Sequence, residues 1–533
     1  MSCTGWPLCS HDRERTIRSA SFLLMKTPLL CFFASLLLTS PALAQRPVSL
    51  YPDIVPVRTP DDLRKVALPH TTLSSVVVNE AEGSVRITAV VTHPPATDRV
   101  TVWVALPLKN WNGRFMGNGG GGFNGGSANS LRGPVAQGFA TAATDTGHEG
   151  GSGAFALNAN GRLNWQEIRD NAYLGIHEMT VVGKALATAF YGKAPRYSYF
   201  IGSSTGGRQG LMEAQRYPED YDGIFSGCPA VNWARMVPGS LWAQAVMQEA
   251  NHYVSKAKLD AATTAAVAAG DAADGVTDGV IDDPIRATWD PQVLVGMRVG
   301  AETFTAADAA VLRQIWDGAR SRDGQRLWHG YTRGTNLFAV AGTEGTPLAG
   351  KPFGIAFEWV KFFLAQSASY DSRTLRRDEF ELFFSQSAEQ FGPVFSADDP
   401  DLTRFRNRGG KLIITHGLAD QLIPPQSTIE YYERVQQRMG GAEQTAEFAR
   451  LFLVPGVDHG FRGAGPTPSG TQAALVRWVE DGKAPDQLLG QVKDNDGKVL
   501  RTRPLFPYPQ FAKYSGTGNT DDAANFVAAT PSR

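Results

Sequence analysis

The segment that most constrains this chain is Gly202-Ser203-Ser204-Thr205-Gly206, a G-x-S-x-G pattern. It sits between the apolar run Tyr199-Phe200-Ile201 and the helical stretch Arg208 to Arg216. A strand that passes through so few residues into a helix must turn sharply. Glycines on both flanks allow a backbone approach that a Cβ would block. The turn exposes the central Ser204 hydroxyl and aims the positive end of the helix at whatever reacts there. Strand–turn–helix units of this kind belong to α/β folds with a mainly parallel sheet. With 56 glycines in 533 residues, an inert Gly/Ser turn is the bland alternative.

A serine hydroxyl is a weak nucleophile at neutral pH and needs a base. In this setting the acid and then the histidine follow the serine along the chain. The histidines downstream are His252, His329, His416 and His459. His459 follows the strand-like Leu451 to Val454 through Pro455-Gly456-Val457-Asp458, which places it at a strand's C-terminal end, where catalytic groups gather. His416 also ends a strand (Lys411 to Thr415), but the turn Gly417-Leu418-Ala419-Asp420 then supplies a carboxylate. Ser204, Asp420 and His459 are the expected catalytic set. His416 reads as a turn-stabilising residue. Asp458 is set aside, because a neighbour in sequence is badly placed to hold the ring from behind. The Thr205 amide and that of Gly121 or Gly122, in the run Gly119 to Phe123, are the expected oxyanion donors.

Alternating residues over 81–108 predict a hairpin or meander, 138–143 and Tyr197 to Ile201 predict strands, and Glu167 to Tyr191 predicts a helix. After about residue 236 the pattern changes to an Ala-rich helix (255–269), an acidic loop (271–283) and aromatic helical segments (354–386). The expected organisation is an α/β domain in two parts, 45–235 and 401–533, with 236–400 inserted between nucleophile and acid. The polar tail after Tyr514 reads by composition as disordered.

Met25-Lys26, the apolar Leu29 to Leu38 and Ala42-Leu43-Ala44 together predict a cleaved signal peptide over 1–44, with Met25 as the expected start. The apolar run is too short to span a bilayer. The expectation is a secreted or periplasmic protein without a membrane anchor. Lys+Arg (51) and Asp+Glu (52) balance, so no basic field attracts nucleic acid. Of the four cysteines, Cys3, Cys9 and Cys31 fall in the leader, leaving Cys228 alone. Export usually favours disulfides, and none can form within the mature chain.

Several stretches together resemble the tannase/feruloyl esterase family. They are Trp111 to Phe115, Ala143 to His148, Gly202 to Gln209, Tyr217-Pro218 with Tyr221-Asp222-Gly223, and His416-Gly417 with Asp420. Pro424-Pro425 with Tyr431-Tyr432, Val454-Pro455-Gly456 with His459, Pro507-Tyr508-Pro509 and Tyr514 to Gly518 complete the set. The resemblance implies an α/β-hydrolase fold with a large lid domain between nucleophile and acid, and an ordered tail. It implies hydrolysis of small-molecule esters of aromatic acids: feruloyl or hydroxycinnamoyl, galloyl, or terephthalate monoesters. Nucleophile, acid and base map onto Ser204, Asp420 and His459. Nothing in the sequence sets an oligomeric state. The rivals are a serine peptidase or amidase on the same scaffold and a non-catalytic binding protein.

The resemblance further implies a structural calcium ion in the lid, held by Asp271, Asp274, Val276, Asp278 and Val280. Three carboxylates with interleaved carbonyls suit a hard cation. The lid aromatics Phe357, Trp359, Phe362, Phe363, Phe383 and Phe384 are expected either as acyl-group walls or as lid core. The departure is in cysteine. The family's disulfide pairs map onto Ser203 and Gly460, Gly270 and Ala287, and Phe506 and Ala528, with both partners absent each time.

Overall fold

The computed structural model describes residues 47–531, so the leader over 1–44 lies outside the described residues. Nine strands share one sheet: β1 (Thr71–Asn79), β2 (Ser84–Val91), β3 (Val100–Pro107), β4 (Arg114–Asn118), β5 (Ala140–Thr144), β6 (Tyr197–Ser203), β7 (Gly223–Gly227), β8 (Lys411–Gly417) and β9 (Ala449–Val454). Their order is β1-β2-β3-β5-β4-β6-β7-β8-β9. The first three are joined antiparallel to one another and to β5. From β5 through β4 to β9 every pair is parallel.

Successive strand residues face opposite ways, and both faces are apolar, as a parallel sheet covered on both sides requires. Phe115, Phe200, Leu412 and Ile414 pack with residues of helices α1 (Gly175–Tyr191) and α2 (Thr205–Arg216). Met116, Tyr199, Ile413 and Phe452 pack on the other face with Trp478. The segment between β7 and β8 adds no strand to this sheet. It is mainly helical, with α3 (Trp233–Gly239), α4 (Lys256–Asp274) and α5 (Arg377–Phe395), and has its own core around Trp242, Trp316, Trp359, Phe363, Phe391 and Phe395. This is the α/β-hydrolase architecture with a helical lid.

Four points differ from the sequence reading. Strand β1 was not foreseen: its Ser74-Ser75 bulge and the run Val76-Val77-Val78 break the alternation, and all of the strand but Val76 is half-buried or exposed at a sheet edge. The helix expected over 167–191 is a short helix (Trp165–Arg169), a π-turn (Asp170–Leu174) and α1. The acidic loop begins later than expected, because α4 runs on through Asp271 and Asp274. The tail is built rather than loose. Phe511–Tyr514 pairs antiparallel with Phe526–Ala529, and the Arg503 guanidinium lies 3.9 Å from the centre of the Phe526 ring. Among the described residues no helix is long and apolar enough to cross a membrane.

Candidate active site

Strand β6 delivers Ser204 to the N-terminus of α2 with φ +62° and ψ −121°, a left-handed conformation that side chains rarely adopt. The neighbours show why the flanks must be glycine. A Cβ on Gly202 would stand 2.4 Å from the Gly206 carbonyl oxygen, and one on Gly206 would stand 3.0 Å from that of Gly120. The Ser204 N–H donates to the Gly227 carbonyl (2.9 Å), which ties the turn to the end of β7.

His459 and Asp420 arrive on loops after β9 and β8. His459 Nε2 lies 2.9 Å from Ser204 Oγ, and its Nδ1 lies 2.8 Å from Asp420 Oδ2. With its proton on Nδ1, the ring donates to Asp420 and accepts from the Ser204 hydroxyl. Asp420 is fully buried. Its Oδ1 accepts N–H bonds from Leu422 (2.9 Å) and Ile423 (2.8 Å). Burial opposes its ionisation, but the charge and hydrogen bond of His459, with help from His416, hold it well below the usual carboxylate range. Burial also opposes a charge on His459, and there the Asp420 carboxylate outweighs it and raises the imidazole above its ordinary value. His416 sits buried behind the acid. Its Nε2 lies 3.0 Å from the Ile423 carbonyl and 3.3 Å from Asp420 Oδ2, and its Nδ1 2.8 Å from Thr428 Oγ1.

The glycine loop after β4 lies against the start of α2. Thr205 is the first residue of that helix, so its N–H has no intrahelical carbonyl to meet. Gly122 (φ +61°) has no hydrogen-bond partner for its N–H among the described residues. Gly121 does not fit the oxyanion role: its N–H donates to the Asn124 carbonyl (3.1 Å) in a tight turn and is spent there. Two contacts that sequence reasoning missed hold this loop. Thr205 Oγ1 donates to the Gly122 carbonyl (2.7 Å). Gln209 accepts from the Gly120 N–H (3.0 Å) and donates to the Gly125 carbonyl (3.2 Å). Both residues lie in the stretch that carried the family resemblance, which was the available signal. Ile355, from the lid, packs over Gly122 and had no signal beyond being apolar.

The loop bearing His459 is closed without a disulfide. Asp458 Oδ1 accepts from the N–H groups of Gly460 and Arg462, both at 2.8 Å, and the His459 N–H donates to Gln421 Oε1 at 3.1 Å. The Phe461 ring packs against Gly227, next to Ser203. At Gly270, Ile281 fills the place of a side chain. Buried Cys228 has its Sγ 3.9 Å from the His459 carbonyl, and burial pushes its thiol up, so it is not a thiolate at neutral pH.

In the lid, Asp271 Oδ1 accepts from the N–H groups of Asp278 (2.8 Å) and Gly279 (3.0 Å), and Asp274 accepts from those of Val276 (3.2 Å) and Asp282 (2.9 Å). Asp278 pairs with Arg501 (2.9 Å) and Arg503 (2.6 Å). Burial, then the charges of Asp274 and Asp278, push Asp282 up to about 7. Trp359, Phe363 and Phe384 are core residues of the lid rather than walls of a site; Phe357, Phe362 and Phe383 are half-buried. A cavity of about 470 Å³, lined by Ala419, Gln421 and Asp458 and by lid residues including Arg333 and Phe338, borders the acid and base loops.

Residues 86–529 match the family model described as tannase and feruloyl esterase. The chain is 38% identical to a probable feruloyl esterase of Arthroderma benhamiae, over 86% of this chain and 87% of the relative. It is 31% identical to the mono(2-hydroxyethyl) terephthalate hydrolase of Piscinibacter sakaiensis, over 79% and 80%. An esterase crystal structure from Aspergillus oryzae superposes with a TM-score of 0.78 at 26% identity, covering 87% of this chain and 98% of that one. The tannin acyl hydrolase of Aspergillus niger shares the fold (TM-score 0.80, 24% identity, 89% and 95% covered). The chain belongs to the tannase and feruloyl esterase family and is a carboxylic ester hydrolase.

Proposed function

We propose that the protein is an exported hydrolase of aromatic-acid esters that works through a Ser204 acyl-enzyme. The observation that carries this reading is the hydrogen-bonded line Ser204–His459–Asp420; Thr205, next to the serine, opens helix α2, and Gly122, bonded through its carbonyl to Thr205 Oγ1, has an N–H without a partner among the described residues. Ser204 Oγ attacks the ester carbonyl while His459 Nε2 takes its proton. Asp420 keeps the ring in the right tautomer and stabilises the imidazolium. The oxygen that becomes negative is held by Thr205 and Gly122, in a site where donors are fixed before the charge develops. His459 then protonates the leaving alcohol, and water repeats the cycle on the acyl-enzyme. Support for the aromatic acyl group comes from the relatives, named as a probable feruloyl esterase and a mono(2-hydroxyethyl) terephthalate hydrolase. A panel of methyl ferulate, methyl gallate and mono(2-hydroxyethyl) terephthalate tests it. Turnover of at least one, with the matching anilides inert, is expected. Cleavage of the anilides at equal rates would instead favour a peptidase or amidase, and no turnover of any would sink the reading.

The reading includes a calcium ion in the lid. By residue type the carboxylates of Asp271, Asp274 and Asp278 and the carbonyls of Val276 and Val280 are the hard oxygen set that this cation takes. Asp278 is paired with Arg501 and Arg503, however, and the three carboxylates do not converge within 4.8 Å among the described residues, so binding has to draw Asp278 away from the arginines. Bound there, calcium supplies charge neutralisation and an anchor for the end of α4, not chemistry. Removing calcium with EGTA is expected to lower the melting temperature by roughly 2–5 °C, restored by Ca²⁺ and not by Mg²⁺. An unchanged melting curve would strike calcium from the reading.

A further inference from the structure

Among the described residues, two groups of His, Cys, Asp or Glu side chains bring one ligand atom each within 4.8 Å of one another. One is Cys228, Asp420 and His459. The other lies elsewhere on the hydrolase domain: His93, Asp98 and Asp170. His93 follows β2, Asp98 precedes β3, and Asp170 opens the π-turn before α1. His93 Nδ1 stands 2.5 Å from Asp98 Oδ2 and 3.9 Å from Asp170 Oδ1. On the far side of the ring, Nε2 meets Glu178 Oε1, in the first turn of α1.

This group differs from an ordinary solvated acidic patch in two ways. Asp98 and Asp170 are 3% and 0% exposed, and each keeps one carboxylate oxygen, Asp98 Oδ1 and Asp170 Oδ2, with no hydrogen-bond partner. Buried carboxylate oxygens are rarely left this way unless something outside the protein's own donors meets them. Carboxylates also outnumber basic groups. His93 is the only basic group in ion-pair contact with Asp98, Asp170 or Glu178 among the described residues. Three carboxylates face this one imidazole.

We propose that His93 Nδ1 and the carboxylates of Asp98 and Asp170 form a binding site for a divalent cation of the zinc class, with Glu178 orienting the imidazole from behind. One nitrogen with carboxylate oxygens suits Zn²⁺ better than the all-oxygen preference of Ca²⁺ or Mg²⁺. A carboxylate on the other ring nitrogen is the usual support of a metal-bound histidine. Binding displaces the Nδ1 proton to solvent, and Nε2–H stays with Glu178. The site's role is to pin. It joins the β2–β3 turn to the π-turn, in which Asn171 donates to the Phe123 carbonyl (2.9 Å), next in sequence to Gly122, the glycine proposed above as an oxyanion donor.

The test uses the mature chain stripped with a chelator, refilled with excess Ca²⁺ to occupy the lid, then incubated with Zn²⁺ and gel-filtered. About one retained zinc per chain, measured by atomic emission, is expected, with a higher melting temperature than the unloaded protein. Glu178→Gln should weaken zinc binding about 10–100-fold. His93→Gln and Asp170→Asn should abolish retention, and the lid variant Asp274→Asn should keep it. Circular dichroism checks each variant's fold. Wild-type protein that retains no zinc would make the group an internal ion-pair network and overturn the site. Retention undiminished in both folded His93→Gln and Glu178→Gln would place the zinc elsewhere and overturn it equally.

Discussion

Ser204→Ala is expected to lower kcat by about 10⁴–10⁶-fold while leaving the melting temperature near that of the parent. The side chain's hydrogen bond is to His459 Nε2, so removing Oγ deletes the nucleophile and little else. The turn itself is held by backbone, through Ser204 N–H to Gly227 and Gly206 N–H to Gly120, both at 2.9 Å. Residual turnover above that of water would come from the Thr205 and Gly122 donors. Near-parental kcat on a methyl aryl ester, with the variant free of parent enzyme, would remove Ser204 from the mechanism.

The second large effect is Asp420→Asn, expected to cost about 10³–10⁴-fold in kcat. Asn can still accept from Leu422 and Ile423 through its oxygen, so the turn survives. Its NH₂ then occupies the place of Oδ2, facing His459 Nδ1. A donor there drives the ring proton to Nε2, where it faces Ser204 and cannot serve as a base. The pH profile separates this from a structural defect. The base works when neutral, and Asp420 raises the His459 value, so parental kcat/KM should climb with pH through a limb above the ordinary histidine value of ~6.5. In Asp420→Asn the limb should move to lower pH. Identical limbs in both proteins would separate Asp420 from His459 in function.

The parts of the site that were legible in sequence are those bound to local chain geometry. The turn at Ser204 needs glycines a few residues away, and the loops bearing Asp420 and His459 directly follow apolar strands, so short windows carry them. What was illegible depends on the spending of hydrogen bonds across the fold. Gly121 and Gly122 are equivalent as letters, and only the Asn124 carbonyl, reached in a tight turn, decides between them. His93 and Glu178 are 85 residues apart, and no spacing rule joins the turn after one strand to the first turn of a distant helix. Composition misread the tail for a related reason: its few apolar residues, Tyr514 and Phe526, find each other across a strand pair.

The lid core reaches below the lid. Phe123 of the glycine loop stacks with Phe363 of the lid at 5.9 Å, and Ile423, three residues past the acid, belongs to the same apolar cluster. Glu358 of the lid accepts from the Gly153 N–H (2.6 Å), and Arg208 in α2 reaches the Phe395 carbonyl (3.4 Å). The inserted segment is therefore not an interchangeable cassette. Grafting a relative's lid between β7 and β8 would strip the oxyanion loop and the acid loop of packing partners they share with it. A change in the inserted segment therefore has to be matched by changes in the glycine loop and the acid loop that pack against it.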